Sequence, residues 1–311
     1  MIHATLHQLK VFETTARHSS FTRAAEELEI TQPTVSSQIK QLTKAVGLPL
    51  FEQIGKRLYL TDAGEELLQT CQEIFARLDN FEMMIADFKG KKQGKLKLAA
   101  ITTTKYFIPR LLGHFCQIHP DIDVALQVVN HEQIQQRMLQ NRDDLYILSQ
   151  CPEGIPLAAE PFLDNPLVVV AHHQHPLAGQ AALPLAALAN EPFIMREFGS
   201  GTRQAVEQLL ATQGVQVQVR LELGSNEAIK QAIAGEMGIS VLSQHCLVGM
   251  ELSSELTVLD VKDFPIQRQW YVAHLASKQL SVIAQTFRDY LVAKSQGIQA
   301  QLLENFAGAV R

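Results

Sequence analysis

The chain is 311 residues long, 46% hydrophobic and 19% charged: more than one hydrophobic core usually holds, and too apolar for long disorder. Its net charge is −5, and it lacks the run of about 18 apolar residues that would span a membrane. The first ten residues have no apolar centre like that of a secretory signal, so a cytoplasmic protein is expected. The four cysteines, without CxxC or zinc spacing, are expected to stay reduced.

The average charge hides a split. Residues 1–60 hold seven Lys and Arg against five Glu, leaving 20 basic against 27 acidic residues in the remainder. A polyanion should therefore meet the N-terminal sixty residues. These read as helix after helix. Leu6, Leu9, Phe12 and Ala16 recur at spacings of three and four, and Phe21, Ala24, Ala25 and Leu28 do so again. A third helix opens at the cap residue Thr31 and stops at Gly47, with Val35, Ile39, Leu42 and Val46 in one inward stripe. A short hairpin turning at Gly55-Lys56 follows.

Thr61 and Asp62 open a long fourth helix that lasts to about Phe88. Leu67, Cys71, Ile74, Leu78, Phe81, Ile85 and Phe88 fall on it in alternating steps of four and three. That is a heptad seam, and a rod of about 42 Å carrying one is expected to pair with a second copy. Next come two glycines and three lysines without an apolar residue, Lys89–Gly94, a hinge.

Beyond the hinge the period changes. Lys95–Ile101, Val124–Val129, Asp144–Ser149, Leu167–Ala171, Phe193–Arg196, Val217–Leu223 and Ile239–Leu242 read as strands. Tyr106–His119, His131–Gln140, Ser200–Gln213 and Asn226–Glu236 read as the helices between them. Alternating strands and helices predict an α/β fold with mostly parallel strands. Pro161 to Pro166 and Phe264-Pro265 are natural crossing points between two subdomains. The expected organisation is thus a DNA-binding domain over 1–60, a linker and dimerisation helix over 61–89 and a hinge over 90–94. Subdomain I follows over 95–163 and 265–294, subdomain II over 164–264, and a tail over 295–311.

Ser20–Ile30 and Gln32–Val46 have the layout of a helix-turn-helix, the second helix reading DNA. With its apolar stripe turned inward, that helix shows Gln32, Thr34, Ser36, Ser37, Lys40, Gln41 and Lys44 outward, and Pro33 sits harmlessly in its first turn. Gln32, Ser36 and Ser37 are expected on bases; Arg23, Lys40, Lys56 and Arg57 on phosphates. The Gly55-Lys56-Arg57 tip would act as a wing.

The run Phe21-Thr22-Arg23-Ala24-Ala25-Glu26, then Thr31–Ile39, Leu42, Gly47–Phe51 and Leu60-Thr61-Asp62-Ala63-Gly64, resembles the LysR-type transcriptional regulators. The resemblance extends over the whole chain. It implies an all-α winged helix-turn-helix and a long linker helix, followed by an α/β effector domain of two subdomains like a periplasmic binding protein. Within the family, Ile101–Leu112, Asn141–Leu145 and Arg196–Arg203 look like the CbbR/CmpR branch, which controls carbon-fixation or bicarbonate-uptake genes; Phe198 departs from that pattern, which has Pro there. What the resemblance implies for partners is double-stranded promoter DNA, a homodimer and further a homotetramer, RNA polymerase, and a small anionic metabolite.

Ligands of α/β sheets bind beyond the strand C-termini, where helix N-termini gather. Thr102, Thr103, Thr104 and Lys105 follow the first strand. Arg196 ends another, and Ser200, Gly201, Thr202 and Arg203 open a helix whose glycine lets backbone N–H groups approach an anion. Asn226 opens one more. Resemblance to the CbbR/CmpR branch narrows the ligand to ribulose-1,5-bisphosphate or 2-phosphoglycolate. No resident cofactor or metal is expected: His172, His173 and His175 lack a nearby carboxylate or thiol. HExxH, Walker A, GxSxG and GxGxxG are all absent, so no catalytic residue is expected. A thiol-redox regulator using Cys151 and Cys246 and a metabolic enzyme with an appended DNA module are the weaker alternatives; neither cysteine has basic sequence neighbours to activate it.

Overall fold

A computed structural model describes residues 3–55, 57–89, 92–247 and 255–309, with side chains to Ser295 and at Gly297. The chain forms two compact units, Met1–Ile85 and Ala86–Arg311. In the first, α1 (Leu6–His18), α2 (Phe21–Glu27) and α3 (Gln32–Val46) precede a hairpin of β1 (Phe51–Ile54) and β2 (Arg57–Leu60), and α4 (Asp62–Phe88) follows. Each early helix starts on a hydroxyl cap. Thr5 and Gln8 form a reciprocal capping box on α1, and Ser20 and Thr31 accept from Arg23 N and Thr34 N. Gly47 ends α3 at φ +82°, a conformation that side chains disfavour.

Val11, Phe12, Ala24, Val35, Leu42 and Leu50 are fully buried together, so each helix turns its apolar stripe to one core. The hairpin pairs Phe51 with Leu60 and Ile54 with Arg57. Gly64, in the first turn of α4, lies so close to the hairpin that a Cβ there would run into the Leu50 carbonyl oxygen.

The second unit contains two five-stranded sheets. The first has the order β4 (Ile122–Val129), β3 (Gly94–Ile101), β5 (Leu145–Leu148), β12 (Gln269–Leu275), β6 (Leu157–Asp164). Here β3 is parallel to both neighbours, whereas β12 is antiparallel to β5 and β6. The second has the order β11 (Leu256–Leu259), β7 (Leu167–His172), β10 (Ile239–Ser243), β8 (Pro192–Arg196), β9 (Gln218–Leu223). Strand β7 is buried at all six positions because both faces are covered. Val169 and Ala171 join one core with Phe193 and Val241, while Val168 and Val170 join another with Ile194 and Leu242. The helices α5 (Ile108–Ile118), α6 (His131–Leu139), α7 (Gly201–Thr212) and α8 (Asn226–Ala234) connect strands, and α9 (Val282–Ala309) closes the chain.

Three expectations need correction. Thr102–Tyr106 is a 3₁₀ turn, with α5 starting only at Ile108. Gly94 already belongs to β3 rather than to a hinge, and Gly90 and Lys91 lie outside the described residues. Residues 295–309 are no tail: α9 runs on to Ala309, through a stretch rich in Ala, Gln and Leu that favours helix.

Candidate DNA-binding and effector sites

In the first unit, α2 and α3 form the helix-turn-helix. Burying Val35, Ile39 and Leu42 leaves Gln32, Pro33, Thr34, Ser36, Ser37 and Lys40 exposed on one side of α3. Arg23 and Arg57 are exposed as well, and Lys56 lies outside the described residues. The Thr34 hydroxyl is within 2.8 Å of that of Thr31, so Thr34 helps to cap α3. Gln8 of α1 donates to Gln41 Oε1 at 3.1 Å. Its side chain thereby joins the outer face of α3, a placement that no local pattern around Gln8 signals. Glu27 accepts from Arg17 at 2.9 Å and lies 2.6 Å from His18 Nε2, locking α1 to α2. These partners lower the Glu27 pKa to about 2, the Arg17 hydrogen bond being the largest cause.

On α4 the expected seam divides. Cys71 is fully buried in the unit's own core, and Leu67 and Ile74 pack against the same core. Cys71 therefore cannot face a partner helix, a correction that follows from the hairpin and α1 covering this half of α4. Leu78, Phe81, Ile85 and Phe88 remain exposed, Phe88 by 78%.

In the second unit, a narrow cleft collects residues from both sheets: Ile101, Thr102, Thr103, His131, Ser149, Asn165, Arg196, Glu197, Ser200, Gly201, Thr202, Ser243 and Trp270. Thr102, Thr103, Arg196, Ser200, Gly201 and Thr202 were expected there. The N-cap residue of α7, Ser200, makes no capping hydrogen bond through its side chain, so it leaves the first N–H groups of α7 to another acceptor.

Four expected residues stand elsewhere. The Thr104 hydroxyl turns inward and donates to the Ile101 carbonyl at 2.8 Å. Lys105 points at Glu227, 3.5 Å away. Arg203 lies along α7 and is held by Glu207, Glu222 and the Arg196 carbonyl. Asn226 sits buried behind the cleft wall, accepting from Arg196 at 2.8 Å and donating to Thr103 Oγ1 at 3.1 Å. Arg196 stays in the lining, but its Nε and Nη2 both donate to Glu197, neutralising the pair.

His131, Ser149, Asn165, Glu197, Ser243 and Trp270 were not anticipated. Ser149 and Ser243 stand at the ends of β5 and β10, where the rule for strand C-termini applies equally, yet neither opens a glycine-rich turn. Trp270 comes from a strand that returns to the first sheet from far along the chain. Burial lowers the pKa of His131, favouring the neutral ring. Burial also pushes the thiol of Cys151 up and that of Cys246 up to about 12, so neither is primed as a thiolate. No group of three or more metal-binding side chains occurs among the described residues, and no described helix is long and apolar enough to cross a membrane.

Comparison with known proteins bears on both sites. Residues 6–65 match the model of the bacterial regulatory helix-turn-helix proteins of the lysR family, and residues 89–296 that of the LysR substrate binding domain. The chain is 51% identical over 298 residues to the HTH-type transcriptional activator CmpR of Synechocystis sp., covering 96% of this chain and 98% of that one. It is 50% identical to a RuBisCO operon transcriptional regulator of Acidithiobacillus ferrooxidans, over 94% of this chain and 95% of the relative. Among solved structures, the regulatory domain of Synechocystis CcmR in complex with 2-PG is 65% identical, with a TM-score of 0.64, covering 66% of this chain and 98% of that domain. A full-length OxyR of Pseudomonas aeruginosa has a TM-score of 0.74 at 20% identity, over 96% of this chain and 97% of its own, a likeness of fold alone.

Proposed function

Because the chain belongs to the LysR-type transcriptional regulators and is homologous to the CmpR and CbbR regulators of carbon fixation, we propose that it controls carbon-fixation or inorganic-carbon-uptake genes in response to a phosphorylated metabolite. The metabolite is 2-phosphoglycolate, with ribulose-1,5-bisphosphate as the competing candidate. One observation carries this reading. The cleft joins the uncapped N-terminus of α7 to the hydroxyls of Thr102, Ser200 and Thr202, in a domain 65% identical to one solved with 2-PG. The phosphate sits on the α7 N–H groups and these hydroxyls; Thr103 completes the wall.

DNA is bound through the exposed face of α3, with Arg23, Lys56 and Arg57 on the backbone. Two copies pair through the exposed part of α4 to meet a two-fold-related site; tetramer formation and contact with RNA polymerase follow from the family. Working on chromosomal DNA places the protein in the cytoplasm. Calorimetry on the full chain tests the effector: saturable binding of 2-phosphoglycolate, absent with glycolate, is expected. Equal heats from both, or binding of ribulose-1,5-bisphosphate alone, would overturn 2-phosphoglycolate as the signal. The thiol-redox alternative loses support from the buried, high-pKa Cys246.

A further inference from the structure

A phosphate-binding cleft calls for positive charge, and the cations first expected to supply it are committed elsewhere. Arg196 holds Glu197 through two nitrogens and Asn226 through the third. Arg203 holds Glu207 and Glu222, while Lys105 and Lys230 both face Glu227. With Glu197, the one acid of the lining among the described residues, cancelled by Arg196, the lining is close to neutral.

Arg268 differs. It is half-buried, and among the described residues no carboxylate pairs with it. Its Nη2 donates to two neutral acceptors, Gln150 Oε1 at 3.0 Å and the Ser149 carbonyl at 3.4 Å. Both of these residues stand beside the start of α7. A Cβ added at Gly201 would lie 3.4 Å from Ser149 Oγ and 3.6 Å from Gln150 Oε1. Asn165, another lining residue, donates its backbone N–H to the Arg268 carbonyl at 2.7 Å. Arg268 thus stands one layer behind the cleft wall, with Gln150 between it and the phosphate-binding helix end.

A second, independent feature marks the same wall. Trp270, two residues on and fully buried, lines the cleft, and its indole N–H has no hydrogen-bond partner among the described residues. A buried donor left unpaired is costly, and a ligand acceptor would remove that cost. The pairing of β12 with β6 shifts register between Trp270 and Tyr271, the kind of irregularity that re-aims a side chain beside a binding site.

We propose that Arg268 is the charge-supplying residue of the effector site, pairing with the phosphate of the ligand, that Gln150 holds its guanidinium in place until the ligand displaces it, and that the Trp270 N–H is a further donor to the ligand. This rests on the effector reading above and names residues that reading lacks. A planar guanidinium matches a phosphate bidentately, a geometry lysine cannot reproduce.

The test is titration of the full chain with 2-phosphoglycolate, followed by calorimetry and by the fluorescence of Trp270, the single tryptophan of the chain. Arg268→Gln is expected to weaken binding at least tenfold and to flatten its salt dependence. Arg268→Lys should recover part of the affinity, and Arg203→Ala should stay within twofold of the unsubstituted protein. Gln150→Glu is nearly isosteric and gives Arg268 a permanent carboxylate; it too should lose at least tenfold, which keeps the test decisive where Arg268→Gln fails to fold. Affinity within twofold of the parent in Arg268→Gln or in Gln150→Glu overturns the assignment while leaving the effector reading intact. Absence of 2-phosphoglycolate binding to the unsubstituted protein overturns both.

Discussion

Ser36 and Lys40 stand one helical turn apart on the exposed face of α3 and are suited to different tasks. A short hydroxyl near the helix N-terminus can meet a base edge, whereas a lysine further along reaches a phosphate. Ser36→Ala should therefore cost about 1–3 kcal/mol on the preferred operator and relax the choice of base at one position. Lys40→Ala should weaken binding to all sequences alike and reduce the salt slope by about one unit. Competition binding against operator and random DNA separates the two, and identical profiles would refute the division of roles. Glu27 makes a prediction of another kind. Its pKa is lowered to about 2 in the folded chain, mainly by the Arg17 hydrogen bond and then by His18. A depressed carboxylate stabilises the fold fully above its ordinary pKa, and that contribution is lost as pH falls toward 2. Glu27→Gln should accordingly lower the unfolding midpoint at pH 7 and lose its effect near pH 2, as thermal melts across that range would show.

At the scale of elements, α4 changes role along its length. Around Cys71 it belongs to the core of the DNA-binding unit; from Leu78 to Phe88 its apolar residues face outward. A lysine at Leu78 should abolish self-association and leave the unit folded, whereas a lysine at Cys71 should unfold it, because an unpaired charge would be buried. Sedimentation and circular dichroism on the two variants distinguish these outcomes, and an unchanged oligomer in Leu78→Lys would refute pairing through α4. The heptad spacing of α4 was legible in the sequence, but periodicity cannot say which half of a stripe the same chain covers. The helices of the first unit were equally legible, since caps and stripes are local. Strands β6, β11 and β12 were not. β6 carries Pro161, tolerated because β6 is an edge strand whose pairing with β12 is irregular there. β12 pairs with β5 across more than a hundred residues, and no local pattern announces such a partner.

At the scale of the molecule, the cleft residues recognised in the sequence were those in glycine- and hydroxyl-rich turns; Ser149, Asn165, Ser243 and Trp270 became neighbours only through the crossing of the chain between the two sheets. The same crossing lets side chains bond from one sheet of the second unit to the other. Thr103 and Tyr106 follow a strand of the first sheet, while Asn226 and Glu227 follow a strand of the second. They meet as Asn226 to Thr103 at 3.1 Å and Tyr106 to Glu227 at 2.6 Å. These bonds tie the two sheets together at one relative angle. A ligand contacting both sheets shifts the equilibrium between angles only by its differential affinity for them, and its apparent affinity falls as the competent fraction falls. Asn226→Ala removes the bond to Thr103 and deprives Arg196 of one acceptor, each change being worth about 1 kcal/mol. Effector affinity should drop about five- to thirtyfold if that energy is drawn from the competent angle, although Asn226 does not line the cleft. The companion variant Glu227→Gln keeps an acceptor for Tyr106, so that bond between the sheets persists and binding should weaken less, while loss of the charge beside the buried Lys230 should lower the unfolding midpoint. Titrations of 2-phosphoglycolate against both variants check the order. Parental affinity in Asn226→Ala would mean that the two sheets hold their angle without this bond.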